Sequence, residues 1–148
     1  MEPRVDLTLA ATAAELVEIA PLVQPSYRGS VLLYAAGLLT VASETWDEAA
    51  HNLVEENRSI RRIFVQASAI VADTALRATM AELMAGTDDN LRISALAQSN
   101  ATLRTALIDV HAAIEQVDGA QARAVEDAIW LELRRSTERR HHSVDLYY

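Results

Sequence analysis

Apolar residues recur along most of this chain at alternating steps of three and four, which is the spacing of one helix face. After the third and last proline, Pro25, no stretch reads as an alternating strand bounded by turn residues. The pattern predicts an all-α fold: a single-domain helical bundle of five or six helices, two of them long and heptad-patterned. A chain of 148 residues is long enough for one domain with its own core, with residues 1–11 and 143–148 as loose termini.

The beginning of the chain predicts two helices. Thr12 and Glu15 have the spacing of a capping box, so a first helix is expected from about Ala13 to Val23. A second helix should start near Ser26 or Ser30. Residues 31–42 are apolar all round, which predicts that this segment lies buried in the middle of the fold.

A third helix is expected to begin at Trp46, because Thr45 and Glu48 form a second capping box. Its heptad seam consists of Trp46, Ala50, Leu53, Asn57, Ile60, Phe64, Ala67 and Val71. The heptad phase then slips, and Asp73 lies in the gap as a candidate N-cap. The sequence therefore predicts a kink or break near Asp73.

Gly86 is expected to end that helix, with Thr87, Asp88 and Asp89 capping the next one. The next helix should run from Asn90 to about Val117, on a seam of Ile93, Leu96, Asn100, Leu103, Leu107, Val110, Ile114 and Val117. A last helix is predicted from Ala120 to about Arg140. The helices after Thr45 and after Thr87 are expected to pack as an antiparallel pair.

Each long seam is interrupted by an asparagine, and this is the strongest polar signal in the chain. Asn57 and Asn100 stand in similar surroundings 43 residues apart, and Arg61 and Arg104 follow them at the same distance. An ancestral duplication and a chance resemblance between two heptad helices explain this similarity about equally well. A polar side chain in an apolar seam costs stability unless it has a partner, and coiled coils use such residues to fix register. We expect these four residues to fix the register in which the two helices pair and to mediate an interaction, with the asparagines paired across a helix interface. The alternative is that either seam lies partly open to water.

Histidine and carboxylate spacings suggest a metal site as an alternative function. Glu48, His51 and Glu55 have a spacing that helix-bundle metalloproteins use, and His111 with Glu115 gives a second pair. The heptad phase places the first three on the solvent side, opposite Ala50 and Leu53. The sequence therefore favours a salt-bridged surface over a metal centre, and no cofactor is expected.

A small-ligand pocket is a further alternative. Tyr34, Gly37, Leu38 and Trp46 would line it around the segment expected to be buried, where small residues leave room between helices. Close packing of a neighbouring helix is the ordinary explanation of the same small residues.

Composition removes many functions. The chain has no cysteine, all 13 basic residues are arginine, and four glycines form no phosphate-binding loop. Thiolate, Schiff-base and P-loop chemistry are thereby excluded. A net charge of −8 opposes binding to nucleic acid or anionic membranes. Two arginine clusters lack interleaved aromatic residues: one is Arg58, Arg61 and Arg62, and the other is Arg134, Arg135, Arg139 and Arg140, followed by His141 and His142.

These observations predict a non-enzymatic interaction, scaffold or accessory protein. The modest supply of large side chains, with one Phe and two Trp, leaves apolar stripes that a second copy would cover, so a homodimer is expected. A separate protein partner is compatible with the same surfaces. The N-terminal residues lack a signal-peptide pattern and no apolar run approaches a bilayer span, which predicts a cytoplasmic location.

Overall fold

The computed structural model describes residues 4–140, and every regular element in this part of the chain is a helix. The α-helices are α1 (Val5–Ile19), α2 (Ser26–Ala67), α3 (Thr74–Ala85), α4 (Ile93–Ile114) and α5 (Ala120–Glu138), with one 3-10 turn at Ala20–Leu22. The predicted all-α fold class is confirmed. The tail 143–148, expected to be loose, lies outside the described residues.

Helix α1 begins well before the predicted position. It covers Val5–Ile19, so part of the segment 1–11 is helical, and Thr12 is an internal residue and not an N-cap. The Thr12 hydroxyl donates to the carbonyl oxygen of Thr8 at 2.8 Å. The capping-box prediction is wrong here because a threonine inside a helix can bond the preceding turn, and nothing before Thr12 interrupts the helix.

Helix α2 starts at Ser26, one of the two predicted positions, but continues without a break for 42 residues. The separate helix expected at Trp46 does not exist. Thr45 donates its hydroxyl to the carbonyl oxygen of Val41 at 2.7 Å, as an internal helical threonine does. No glycine or proline lies between residues 38 and 67, so a capping pattern alone does not end the helix.

The predicted break near Asp73 is confirmed. Helix α2 ends at Ala67, and the Asp73 side chain accepts hydrogen bonds from the backbone of Ala75 and Leu76 at the start of α3. The end of α3 before Gly86 is also confirmed. The boundaries at Asp73 and Gly86 could be predicted because each depends on residues within one helical turn.

The start of α4 differs from the prediction. The helix begins at Ile93, after a connection over residues 87–92, and its N-cap position Arg92 makes no side-chain capping bond. Asp88 does not cap the helix but turns toward side chains of α2. The α4 seam is buried from Leu96 to Ile114, whereas Ile93 is 40% exposed and Val117, beyond the helix, 38%. Gly119 then takes a positive φ of 131° before α5, a conformation that favours glycine.

The chain divides into two compact units. Unit 1 contains the described residues 4–49, which are α1, the 3-10 turn and the first part of α2. Unit 2 contains Ala50–Arg140, which are the rest of α2 and α3 to α5. Because α2 passes through both units, the single-domain organisation stays a prediction.

Unit 2 has a core of large side chains. Phe64, Met80 and Val110 are fully buried at its centre, supplied by α2, α3 and α4, and Ile129 of α5 is 1% exposed. The remaining buried apolar members of this cluster are Ile60, Ile63, Ala67, Val71, Leu103, Ala106, Leu107, Ile114, Ala122 and Val125. Eight members of this cluster stand in the two predicted seams, because positions three and four apart share one helix face: Ile60, Phe64, Ala67, Val71, Leu103, Leu107, Val110 and Ile114.

Unit 1 is built differently, because the two helices approach through small residues. The buried positions among residues 4–49 are Ala13, Ala20, Gly29 and Ala36. A Cβ atom on Gly29 would lie 2.5 Å from the carbonyl oxygen of Ala20, so the two backbones are nearly in contact there. At the other end of the hairpin, Ser43 donates to the carbonyl oxygen of Asp6 at 2.8 Å, and α1 therefore runs antiparallel to α2.

The prediction that residues 31–42 are buried is wrong. Val31 is 61% exposed, Leu33 49%, Tyr34 59% and Leu38 45%, while Ala36 alone in this segment is buried. The face of α2 that meets α1 carries Gly29 and Ala36, with Leu32 and Leu39 half-buried on the same face, and the exposed large residues of the segment face outward. Within residues 4–140, no helix combines the length and the apolar character that crossing a membrane requires.

Candidate functional site

The two seam asparagines are hydrogen-bonded to each other inside unit 2. Asn57 is fully buried, Asn100 is 6% exposed, and the Nδ2 of Asn100 donates to the Oδ1 of Asn57 at 3.0 Å. The Nδ2 of Asn57 donates in turn to Asp88 Oδ1, also at 3.0 Å. Each asparagine therefore has a partner, as a buried polar group requires. A role in setting register stays a prediction.

Arg61 holds Asp88 against these asparagines. The Arg61 guanidinium lies 2.5 Å from Asp88 Oδ2 and also donates to the carbonyl oxygen of Leu83 and the hydroxyl of Ser99. Both charged side chains are largely buried, at 15% and 10% exposure. We call Asn57, Arg61, Asp88, Ser99 and Asn100 the asparagine cluster. It joins α2, α4 and the connection between α3 and α4.

The pKa of Asp88 lies below its ordinary value. Burial, the largest single influence, raises it, but the hydrogen bonds from Arg61 and Asn57 and the charge of Arg61 together outweigh burial. The folded surroundings of Asp88 therefore stabilise its ionised form relative to its protonated form.

This shift predicts a pH-dependent contribution to stability. A group with a lowered pKa in the folded state stabilises the fold above its ordinary pKa of 3.8, and the contribution is lost as pH falls through the lower folded value. We expect Asp88→Asn to cost about 2 kcal/mol at neutral pH, because Arg61 loses a largely buried partner, and progressively less below about pH 4. Urea unfolding at several pH values measures the difference. Asp89→Asn at the exposed neighbour should cost less than about 1 kcal/mol, and a constant cost for Asp88→Asn from pH 7 to pH 3 would contradict the assignment.

Arg104, the second predicted arginine, binds a buried glutamate. Its guanidinium lies 2.7 Å from Glu56 Oε1, and Arg140 lies 2.7 Å from the other oxygen of the same carboxylate. Arg104 and Arg140 also donate to the hydroxyl of Ser136. Glu56 faces Arg104 while Asn57 faces Asn100, so residue numbers rise along α2 as they fall along α4, which is the antiparallel pairing that the sequence predicted.

The arginine clusters of the sequence are largely engaged within the chain. Arg58 pairs with Glu55, and Arg139 pairs with Glu132, which is 3% exposed. With Arg61 and Arg140 also paired, these guanidinium groups bind carboxylates within unit 2.

The first predicted metal set does not converge in the structure. Glu48 and His51 are exposed, and Glu55 binds Arg58. This agrees with the solvent-facing orientation that the heptad phase gives these residues.

The second histidine pair gains a partner that the sequence did not indicate. Among residues 4–140, His111, Glu115 and Glu126 form the group of three whose ligand atoms lie within 4.8 Å of one another. His111 lies in the last turn of α4, Glu115 is the residue after that helix, and Glu126 lies in α5. The imidazole packs edge-on against Trp130, with ring centroids 5.4 Å apart and planes at 86°. Glu126 was missed because no spacing in the sequence relates α5 to α4.

The alternative of a small-ligand pocket assumed that residues 31–42 form a buried helix, and this segment is not buried. Tyr34, Leu38 and Trp46 are between 45% and 59% exposed, and Gly37 is partly buried. These residues lie on the surface of α2 and not around a buried helix.

The same exposure reveals a continuous apolar stripe on unit 1. Tyr27, Val31, Tyr34 and Leu38 follow one another at steps of four, three and four along α2. All four side chains are exposed. We call these four residues the α2 stripe; they were not predicted as a site, although their heptad spacing was present in the sequence.

Comparisons of the chain with protein-family models, curated proteins and solved structures found no match.

Proposed function

We propose that this protein is a non-enzymatic interaction protein that forms a homodimer through the α2 stripe. The observation that carries the proposal is the stripe itself: four large apolar side chains, in heptad spacing, exposed on a helix whose buried positions in unit 1 are Gly29 and Ala36. Contiguous exposed apolar surface marks interaction sites in folded proteins.

The composition of unit 1 supports an incomplete core. Its described residues bury three alanines and a glycine, whereas large apolar residues outside the stripe are also exposed: Val5, Leu7, Val17 and Leu22. Burial of small side chains contributes little apolar area, so a hairpin of this size gains little stability by itself. A second apolar surface would supply the missing burial.

The spacing favours a second copy as that surface. Steps of three and four are the pattern by which helices pair in coiled coils, and a two-fold interface uses the same patch on both partners. The four side chains present on the order of 400 Å², about half of the roughly 800 Å² that each partner contributes to a standard interface. Flanking residues on the same helix would supply the rest.

The charge distribution supports the same surface. The chain carries a net charge of −8, but residues 26–43 contain a single charged residue, Arg28. Two copies that meet along this segment therefore avoid the repulsion that other surfaces would impose. A cytoplasmic location is part of the proposal.

Light scattering after size exclusion tests the proposal. We expect twice the 16.2 kDa of one chain at micromolar concentration. Val31→Arg with Leu38→Arg should give the mass of a single chain and weaken association roughly 100-fold or more, because two apolar contacts per copy are replaced by charges. The two residues are exposed within one chain, so the double variant should keep its helical circular dichroism.

Ile108→Arg is the matched control, since Ile108 is a large apolar residue of unit 2 that is 70% exposed. This variant should keep the mass of the native protein. A native protein that stays at the mass of one chain at high micromolar concentration would contradict the proposal.

The absence of cysteine allows a second, independent test. At least one of the single variants Tyr27→Cys, Tyr34→Cys and Leu38→Cys should form disulfide-linked dimers on mild oxidation, and Ile108→Cys should not. Cross-linking at every stripe position indicates a parallel seam, because each residue then meets its own counterpart. Cross-linking at one central position indicates an antiparallel seam.

A further inference from the structure

We propose that His111, Glu115 and Glu126 bind one Zn²⁺ ion between the end of α4 and α5. This inference is independent of the α2 stripe, because all three residues belong to unit 2. It goes beyond self-association and adds a ligand to the protein.

The first observation is an imidazole nitrogen without a partner. His111 Nε2 is buried and makes no hydrogen bond among the described residues. Glu115 Oε1 lies 3.6 Å from it, which is longer than a hydrogen bond. A buried polar nitrogen without a partner destabilises the fold, so such an atom needs an explanation. A bound cation would supply the missing partner.

The second observation is the convergence of two carboxylates on this imidazole, one from the end of α4 and one from α5. Glu115 and Glu126 each offer an oxygen, and the three ligand atoms lie within 4.8 Å of one another. Two carboxylates at this separation repel each other in a protein that already carries a net charge of −8. A divalent cation between them would neutralise both.

The distances suit a small tetrahedral ion. Zn²⁺ bonds of about 2.0–2.2 Å to nitrogen and oxygen imply a separation of about 3.4 Å between neighbouring ligand atoms. The 3.6 Å between His111 Nε2 and Glu115 Oε1 is close to this value. Glu115 is 52% exposed and can adjust its carboxylate, whereas Trp130 packs against the imidazole ring and limits its rotation.

The donor set selects Zn²⁺ over the common alkaline-earth ions. One imidazole and two carboxylates suit zinc, while Mg²⁺ and Ca²⁺ prefer oxygen ligands alone. Three protein ligands leave a fourth position for water or for a group from a partner.

Calorimetric titration of metal-free protein with Zn²⁺ near neutral pH tests the site. His141 and His142 are neighbours in the sequence, and two adjacent imidazoles can themselves chelate zinc. Every sample therefore uses the full chain with His141→Ala and His142→Ala. We expect one ion per chain, and binding weaker by roughly 100-fold in His111→Ala and at least about 10-fold in Glu126→Gln. Glu126→Gln is nearly isosteric, so it tests the site even if His111→Ala fails to fold.

His51→Ala is the matched control, because His51 is the exposed histidine of α2 with glutamates at helical spacing. This variant should bind zinc as tightly as its parent. Zinc binding that survives both His111→Ala and Glu126→Gln, no measurable binding by the parent, or tighter binding of Mg²⁺ than of Zn²⁺ would each overturn the proposal.

Discussion

Replacing Asn57 by leucine is expected to destabilise the fold by about 2–3 kcal/mol, although leucine suits the surrounding seam. The reason is what the substitution leaves behind. Asn100 loses the acceptor of its Nδ2, and Asp88 loses one of the donors to its carboxylate. Buried polar groups without partners cost more than a hydrogen bond contributes when it forms.

A double-mutant cycle with Asn100→Leu measures this coupling. Asn100→Leu alone should cost about 1–2 kcal/mol, because the Oδ1 of Asn57 loses its donor. The double variant leaves no unpaired amide in the seam and should cost at least about 1 kcal/mol less than the sum of the single changes. Urea unfolding of the four proteins gives the interaction free energy.

Gln98→Leu is the control, since Gln98 is an exposed residue on the same helix as Asn100. Its effect should stay within about 0.5 kcal/mol. Costs that add within about 0.5 kcal/mol across the cycle would show that the asparagines do not act as a pair.

The double variant also tests the register role predicted for these residues. Coiled coils that lose a buried asparagine often gain stability but lose a unique alignment. We expect its far-ultraviolet circular dichroism to be retained and its amide proton dispersion to narrow. A dispersion identical to that of the native protein would mean that apolar packing alone sets the alignment of α2 and α4.

Replacing Gly29 by alanine is the second change with a large expected effect. In most helices this change stabilises by about 0.5–1 kcal/mol, because alanine is the better helix former. Here the new Cβ would lie 2.5 Å from the carbonyl oxygen of Ala20, a backbone atom that cannot move without α1. We therefore expect the opposite sign, a destabilisation of about 1–3 kcal/mol confined to unit 1.

Hydrogen exchange of the backbone amides of α1 measures this effect, because separation of the hairpin exposes them first. Ser30→Ala, at the exposed neighbouring position of the same helix, is the control and should leave exchange in α1 unchanged. Slower exchange in Gly29→Ala than in the native protein would contradict the close approach of the two helices.

The fold class and the unit 2 core were predictable because both follow from periodicity. Phe64, Leu103 and Val110 stand at steps of three and four in their seams, and all three are buried. The boundaries at Asp73 and Gly86 were also predictable, because one side chain or one glycine decides each of them within a turn.

The errors arose where a local pattern met a tertiary choice. Thr12 and Thr45 have the spacing of N-caps, yet both donate to the carbonyl four residues earlier inside a longer helix. The segment 31–42 is apolar all round, so its spacing does not state which face meets α1. The structure selects the face of Ala36, in line with Gly29, where the backbones can approach closely.

The sequence by itself determined that this protein is helical, where its larger core lies and that two asparagines interrupt it, because side-chain spacing along one helix sets which residues share a face. Tertiary structure alone decided that Asp88 completes the asparagine cluster, that Glu126 joins His111 and Glu115, and that the α2 stripe faces outward. Each of these depends on contacts between residues on different helices or on which face a neighbouring helix covers. Spacing within one helix carries no information about either.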